Sequence, residues 1–558
     1  MAENILVAVA WPYANGSIHM GHIAGCYLPA DIFARYNRMI GNNVLMVSGS
    51  DQHGAPITLR AEQENKSPEE IAGKYHAEFL ECWQKLGISF NLFTSTGTSN
   101  HTEVVHDMFL ELLNKDYIYK DIMSQAYCPE CQRFLPDRYV EGTCPYCHFS
   151  GARGDQCDEC GRTLYPTDLV DIHCRICSGV PRFEESEHFF LRLSAFEEKL
   201  KEWMRGKTNW RHNVLNMTVG FLEGGLKDRA ITRDLQWGVT VPQSGFENKR
   251  IYVWFEAVIG YLSASKEWAK LQGDENAWRT YWNDSAKSFY FIGKDNIPFH
   301  TIIWPAMLMG YGGLPLPTNV PANEYLTIED KKLSTSRNWA IWLPDYLENY
   351  DPDALRYVLS INMPETGDTD FSWREFVRRN NDELVATYGN LVHRVLTFTK
   401  RNFNGTIPAP GEIDSQTVEL LGKVESTFDA VGKSISECRF KESIKSAMAL
   451  AQDANRYLDD KAPWKSIKQD REAAAKGVYG ALSVISGLKT ILYPFMPFSS
   501  NKLHALLGFS NTIEHDGWQF IRPVIGRELP DPQPLFSKLD DSIVDEEMSH
   551  LGTENGTE

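Results

Sequence analysis

The fold of this chain is bounded first by the stretch Ala8-Val9-Ala10-Trp11-Pro12-Tyr13-Ala14-Asn15-Gly16-Ser17-Ile18-His19-Met20-Gly21-His22. Its apolar lead-in predicts a buried strand over 5–10, and a Pro/Asn/Gly turn hands that strand over to a helix. A strand feeding a turn and a helix start belongs in a doubly wound parallel sheet, where free N–H groups and the helix dipole face an anion. His19 and His22 stand three apart on one helix face, so both imidazoles reach the same ligand. Gly21 between them lets a nucleotide lie close to the backbone. On these residues alone, a phosphate site and a plain helix entry with surface histidines fit equally.

The α/β pattern continues. A strand over 43–48 runs into Gly49-Ser50-Asp51-Gln52-His53-Gly54, which reads as a pocket wall or as a turn with a capping Asp. Helices are predicted over 23–39, 67–86 and 100–115; Ser67-Pro68-Glu69-Glu70 is a capping-box start. Arg233 beside Asp234 reads as a salt-bridged pair or as a phosphate or carboxylate ligand. The run 250–261 begins as a strand and turns helical near Glu256; its Trp254 and Tyr261 are core residues or ligand contacts. A strand over 288–292 ends in Gly293-Lys294-Asp295-Asn296, with His300 on the next helix, a second strand–turn–helix ligand site. Residues 326–337 are polar, basic and rich in hydroxyls, as suits a loop closing over phosphates or an ordinary solvated loop.

Eight of the eleven cysteines form four Cys-x-x-Cys pairs: Cys128/Cys131, Cys144/Cys147, Cys157/Cys160 and Cys174/Cys177. Each two-residue gap aims two thiolates at one ion, and two such knuckles complete a tetrahedral site. Four pairs imply two structural zinc ions with closed coordination in a reducing compartment. Spacing leaves the pairing open between sequential and nested.

From Trp373 the pattern is helical, over 373–400, 415–428, 435–461 and 473–493, as in a bundle. Beyond Glu528 the chain is Pro-rich and then acidic, and 540–558 is expected to lack fixed structure. No apolar run reaches the roughly 18 residues of a membrane span. Met1-Ala2-Glu3-Asn4 leads directly into the first strand, leaving no room for a signal peptide, so a cytoplasmic protein is expected. The net charge of −18 argues against nucleic-acid binding through bulk charge but leaves room for a local basic face.

HMGH, SGSDQHG, the knuckle insertion, VWFEAVIGY, GKDNIPFH and a late KLSTS occur in that order. Together they resemble the methionyl-tRNA synthetase family of class I aminoacyl-tRNA synthetases over roughly residues 4–530. The resemblance implies a Rossmann-like catalytic domain at 1–116 and 218–325, a connective insertion with zinc knuckles at 117–217, and a loop-and-linker region at 326–372. An α-helical anticodon-binding domain at 373–530 and a tail at 531–558 complete the division. It implies ATP-dependent activation of L-methionine and its transfer to the terminal adenosine of tRNA(Met), for initiation and elongation. The cofactors implied are two structural Zn²⁺ ions and Mg²⁺ with ATP. No membrane partner is expected, and the lack of an appended module after the bundle points to a monomer.

The resemblance also assigns residues. His19, His22 and Lys332 would be catalytic, and Gly21, Gly293, Asp295, Leu333, Ser334, Thr335 and Ser336 would join them around ATP. Ala10, Trp11, Tyr13, Asp51, Trp254, Ala257, Tyr261 and His300 would shape the methionine pocket, with Asp51 holding the ammonium and Arg233 supporting the site. Asn390, Arg394 and Trp464 match positions that read a CAU anticodon. The two-zinc form of the family favours nested pairing: Cys144, Cys147, Cys157 and Cys160 on one ion, Cys128, Cys131, Cys174 and Cys177 on the other. One departure stands out: the family's second loop lysine is Thr335 here, with Lys331 or Arg337 near enough to supply the charge. Two other readings compete. A synthetase for leucine, isoleucine or valine would need a larger editing insertion than 117–217 offers. A non-catalytic tRNA-binding paralogue has only Thr335 in its favour.

Overall fold

The computed structural model describes residues 2–154, 157, 159, 160, 162 and 164–553. Five strands make one parallel sheet: β1 (Asn4–Val9), β2 (Asn43–Ser50), β3 (Leu92–Ser95), β4 (Lys287–Gly293) and β5 (Ala322–Asn323), in the order β5-β4-β1-β2-β3. Leu6 to Val9 and Leu45 to Val47 are fully buried, as continuous apolar strands are when helices cover both faces. The chain passes from β1 through β2 to β3 on one side, then returns to lay β4 on the other side of β1. The strand order therefore reverses between β1 and β4, and a ligand crevice opens at their carboxyl ends. The helical run after β1 spans 20–39, with a wider π-type turn at Ile23–Tyr27. Ser67 and Glu70 make the reciprocal capping box at the start of helix Pro68–Leu86.

The insertion leaves and returns along one antiparallel ribbon, Ile118–Cys128 against Arg182–Leu191. Its return is earlier than expected. The boundary at 217/218 falls inside helix His212–Glu223, just after Trp210 Nε1 donates to the Thr318 carbonyl (2.8 Å) and Arg211 to the Ala322 carbonyl (3.0 Å). That stretch belongs to the packing of the β4–β5 half.

The C-terminal helices include Asn390–Asn402, Ser415–Ser436, Phe440–Lys461 and Arg471–Ile491. The break expected between 428 and 435 lies instead just beyond Ser436, where Cys438 takes a left-handed φ of 56°. A buried charge cluster ties this half to the sheet. Asp31 pairs with Arg35 (2.9 Å) and with Arg356 (2.7 Å), and Arg356 also donates to the carbonyls of Phe495 (2.7 Å) and Pro494 (2.8 Å).

Up to residue 553 the acidic tail corrects the expectation made for it; 554–558 lie outside the described residues. Residues Ser542–His550 form a helix lying against Trp373–Arg379. Ile543 and Val544 pack on the main core and Leu551 is buried. A few apolar side chains on one face are enough to dock a helix whose average composition is acidic.

Candidate active site

The turn after β1 is clamped to the end of β2: the Ala14 N–H donates to the Asp51 carbonyl and the Asp51 N–H to the Pro12 carbonyl, both at 2.8 Å. His19 enters the helix in extended geometry, and its N–H donates to His22 Nδ1 (3.2 Å). That bond puts the neutral His22 proton on Nε2. The two rings stack with centroids 3.7 Å apart. Burial depresses both imidazoles, His22 to about 4. His19 lies well below its ordinary value, through burial and then through His22. Both are uncharged N–H donors near neutral pH. A Cβ on Gly21 would sit 3.1 Å from the His19 ring and 3.2 Å from Leu333 Cδ1, so the KLSTS loop lies over the histidine turn.

That loop is a hairpin. Lys331–Lys332 pairs antiparallel with Leu326–Ile328, and Ser334 and Trp339 exchange backbone bonds of 3.0 and 2.9 Å. Lys332 is exposed, Lys331 Nζ lies 4.1 Å over the Trp339 ring, and Arg337 Nε donates to Ser334 Oγ (3.1 Å). Thr335 is exposed; the Ser336 side chain lies outside the described ones. Between loop, histidine turn and knuckle module runs a cleft of about 1840 Å³. Its walls carry Arg60, Arg138, Arg153, Arg175, Lys331, Lys332 and Arg337 against Glu78 and Asp345. A chain of net charge −18 thus keeps a basic cleft, the local face that anionic ligands need.

Next to the cleft is an aromatic pocket. Trp11 fills the space over Gly49 and Gly260, where a Cβ would come within 2.5 and 2.7 Å of its ring. Tyr13 meets Trp254 edge-on at 6.1 Å, and Trp254 stacks on Phe299 at 4.1 Å. The Tyr261 hydroxyl donates to His300 Nε2 (2.7 Å), while His300 Nδ1–H donates to the Asn296 carbonyl (2.8 Å). Burial lowers His300 to about 4, so this tautomer stays neutral. Ala257, half-buried, lies one helical turn before Tyr261, and Ala10 lines the buried end of β1. Asp51 is buried, and its Oδ1 accepts the His53 N–H (3.2 Å). Burial, and next the Glu256 charge, push its carboxyl well above the usual range. No lysine or arginine pairs with it among the described residues, so an incoming ammonium would supply the missing countercharge.

A buried cluster behind Asp51 was not singled out from the sequence. The Glu256 carboxylate, fully buried, takes His53 Nδ1 at 3.0 and 3.1 Å, and His101 Nε2 lies 3.5 Å away. His101 Nδ1 in turn bonds Ser263 Oγ (2.9 Å). The one available signal was a glutamate inside the apolar run VWFEAVIGY. Burial works to lower His53, but Glu256 outweighs it and raises the imidazole.

At the end of β4, Gly293 leads into a braced turn: Lys294 Nζ pairs with Glu324 (2.7 Å) and Asp368 (2.9 Å), and the Tyr325 hydroxyl donates to Asp295. Arg233 is not paired with Asp234. The strand holds Thr232 and Arg233 and ends before Asp234, and the two side chains find separate partners. Arg233 lies 4.1 Å over Tyr252, whereas Asp234 pairs with Lys249 (2.7 Å) and His188 (3.1 Å). In the helical half, Arg394 lies 4.9 Å over Trp464, which is 41% exposed, beside a hollow of about 460 Å³. Asn390 is exposed one turn earlier on the Arg394 helix.

The cysteines gather into two nested sets, Cys128/Cys131/Cys174/Cys177 and Cys144/Cys147/Cys157/Cys160. Opposed sulfurs are 3.4 and 3.8 Å apart in the first and 3.9 and 3.5 Å in the second. Tetrahedral Zn–S bonds of ~2.3 Å require about 3.8 Å between sulfurs, so each set fits a structural zinc with no open position.

A family model for class I tRNA synthetases (M) matches residues 5–396, which carry the sheet, both knuckle sets and the loop. The chain belongs to the methionine–tRNA ligase family. A second model, the anticodon binding domain of methionyl tRNA ligase, matches residues 407–555. The methionine–tRNA ligase of Dehalococcoides mccartyi strain 195 is 59% identical over 552 residues, 99% of this chain and all of the relative. That of Thermomicrobium roseum is 50% identical over 579 aligned residues, covering 99% of both. Among solved structures, Mycobacterium tuberculosis methionyl-tRNA synthetase in complex with methionyl-adenylate superposes with a TM-score of 0.81 at 25% identity, covering 96% of this chain and 100% of that one. No helix of the described residues is long and apolar enough to cross a membrane.

Proposed function

We propose that this chain activates L-methionine with ATP and passes it to tRNA(Met), with the crevice between β1 and β4 as its active site. The observation that carries this reading is the junction of two sites: an aromatic pocket with a buried Asp51, paired with no lysine or arginine among the described residues, opens beside a basic cleft walled by His19, His22 and Lys332. A thioether packs well among aromatic rings, which suits Trp11, Tyr13, Trp254, Ala257 and Tyr261 to methionine. Asp51 holds its ammonium, and the neutral His300, fixed by Asn296, holds Tyr261 in place.

In the first step the methionine carboxylate attacks the α-phosphorus of ATP. An O–P bond forms, the bond to the β-phosphate oxygen breaks, and pyrophosphate leaves with its charge. No side chain acts as nucleophile; catalysis is positioning and charge stabilisation. His19 and His22 donate to the phosphates, and Lys332 with the backbone of the loop stabilises the departing charge. Gly293 and Asp295 support the nucleotide, and Arg233, over the Tyr252 ring, supports the site. In the second step the 2′-hydroxyl of the terminal adenosine takes the methionyl group and AMP leaves. Mg²⁺ accompanies ATP and screens its phosphates. Each Cys₄ set would hold a structural Zn²⁺ that fixes the knuckle module. Asn390, Arg394 and Trp464 read the anticodon, the exposed indole under the Arg394 guanidinium offering a stacking platform. The working division follows from this: residues 1–116 and the part after the insertion up to 325, joined by the 326–337 loop, for chemistry, the knuckle insertion and the 338–372 linker for the amino-acceptor end, and 373–530 for the anticodon, with the insertion ending before Trp210 rather than at 217.

The test is ATP–pyrophosphate exchange across amino acids. Exchange with methionine and none with leucine, isoleucine or valine is expected; exchange with a branched aliphatic amino acid, or with none, overturns the reading. In the same assay Lys332→Ala should lower exchange about a hundredfold, the scale of losing one preorganised transition-state donor. Thr335→Lys should leave it equal or better.

A further inference from the structure

The end of the described chain closes on the KLSTS loop. Helix Ser542–His550 is held by the Tyr350 hydroxyl, which donates to Glu547 (2.5 Å), and by the buried Leu551 that follows it. Gly552 then turns at φ +74°, its N–H donating to the Asn338 carbonyl (3.0 Å). The Thr553 carbonyl accepts Asn338 Nδ2 (2.9 Å). A Cβ on Gly552 would stand 3.3 Å from the Trp339 ring, so the backbone packs closely against that indole. Asn338 and Trp339 are the far stem of the loop: Trp339 is bonded both ways to Ser334, and Lys331 lies over its ring. The near side of the loop is held by the histidine turn, with Leu333 on Gly21, the Met20 N–H on the Ile341 carbonyl (3.1 Å) and Trp342 edge-on to His19 at 6.0 Å. Gly552 and Thr553 themselves line the cleft.

We propose that residues 551–553 are an intramolecular strap that positions the 331–339 loop over the ATP phosphates. The proposal rests on the reading of that loop as ATP-binding. Its physical reason is pre-organisation. With Thr335 where a second lysine would draw the loop onto the triphosphate, contacts made before ATP arrives hold the loop against the histidine turn and remove an ordering cost from binding. The strap touches the loop and not the reacting atoms, so these are positioning residues.

The test uses full-length variants in ATP–pyrophosphate exchange. Gly552→Pro removes the donor and cannot adopt φ +74°; Leu551→Ala loosens the anchor; Leu551→Met keeps it. The first two should raise KM for ATP about three- to tenfold, the scale of one or two lost hydrogen bonds, with kcat and KM for methionine nearly unchanged, and Gly552→Pro should do so with Tm nearly unchanged. Leu551→Met should match the parent. An unchanged KM for ATP in both Gly552→Pro and Leu551→Ala overturns the strap, and so does an equal rise in KM for methionine. Lys332→Ala run alongside separates the two levels. If it leaves exchange intact, the loop's role fails. If it cripples exchange while the strap variants leave KM for ATP unmoved, only the strap fails.

Discussion

Burial sets the chemistry of single residues here. It keeps His19, His22 and His300 neutral, so they act as directed donors or acceptors rather than as cations. The same burial raises Asp51, which gives methionine binding a pH dependence with a fixed sign. With the proposed pairing of the ammonium to the carboxylate form, KM for methionine should rise as pH falls through the raised Asp51 value and stay low above it until the ammonium itself deprotonates. The residues proposed for these roles could be nominated from the sequence because each sits at a strand end or in an ordered motif. Glu256, His53 and His101 were not, because their partnership joins segments up to 203 positions apart. Glu256→Ala leaves a raised imidazole without its acceptor inside the core. A loss of about 2–4 kcal/mol in unfolding free energy is expected, with KM for methionine raised, while Glu256→Gln keeps the acceptor and much of the stability. Denaturant unfolding of the three proteins checks it.

At the scale of elements, strands and long helices followed their apolar periods, and their ends followed caps such as Ser67 and Glu70. Two kinds of feature escaped. The return of the insertion was misplaced because helix His212–Glu223 takes its side from tertiary bonds of Trp210 and Arg211, not from its own pattern. The tail helix was hidden because the apolar side chains it docks with are few, Ile543, Val544 and the following Leu551. Spacing left the cysteine pairing open; the fold closes it by bringing Cys128 and Cys177 together across 49 residues. Metal analysis should find two zinc ions per chain, and Cys144→Ser should lose one. Chelation should open the knuckle region to protease while the sheet domain stays folded, since a closed thiolate site contributes folding energy of its own module. No zinc in the purified protein would contradict this.

Across the whole molecule, the sheet reversal at β1 and β4 brings motifs from both halves of the chain to one crevice. The Asp31–Arg35–Arg356 cluster locks the helical half to that frame. Burial alone would raise Asp31, but the two guanidiniums outweigh it and hold the carboxyl well below its usual range. That cluster therefore contributes stability above the ordinary carboxylate pKa and loses it as pH falls towards the depressed value. The basic cleft on a chain of charge −18 has the same logic: the overall balance was readable, the clustering of Arg138, Arg153 and Arg175 opposite Lys332 only appears on folding. The central claim is that methionine is activated in the pocket of Asp51 beside this cleft. Single-turnover formation of methionyl-adenylate by the parent and by Asp51→Ala tests it most directly. The account predicts at least about a thirtyfold weaker dependence on methionine, as for truncating one partner of a buried charge pair, with the dependence on ATP unchanged. Equal methionine dependence in the two proteins would contradict it.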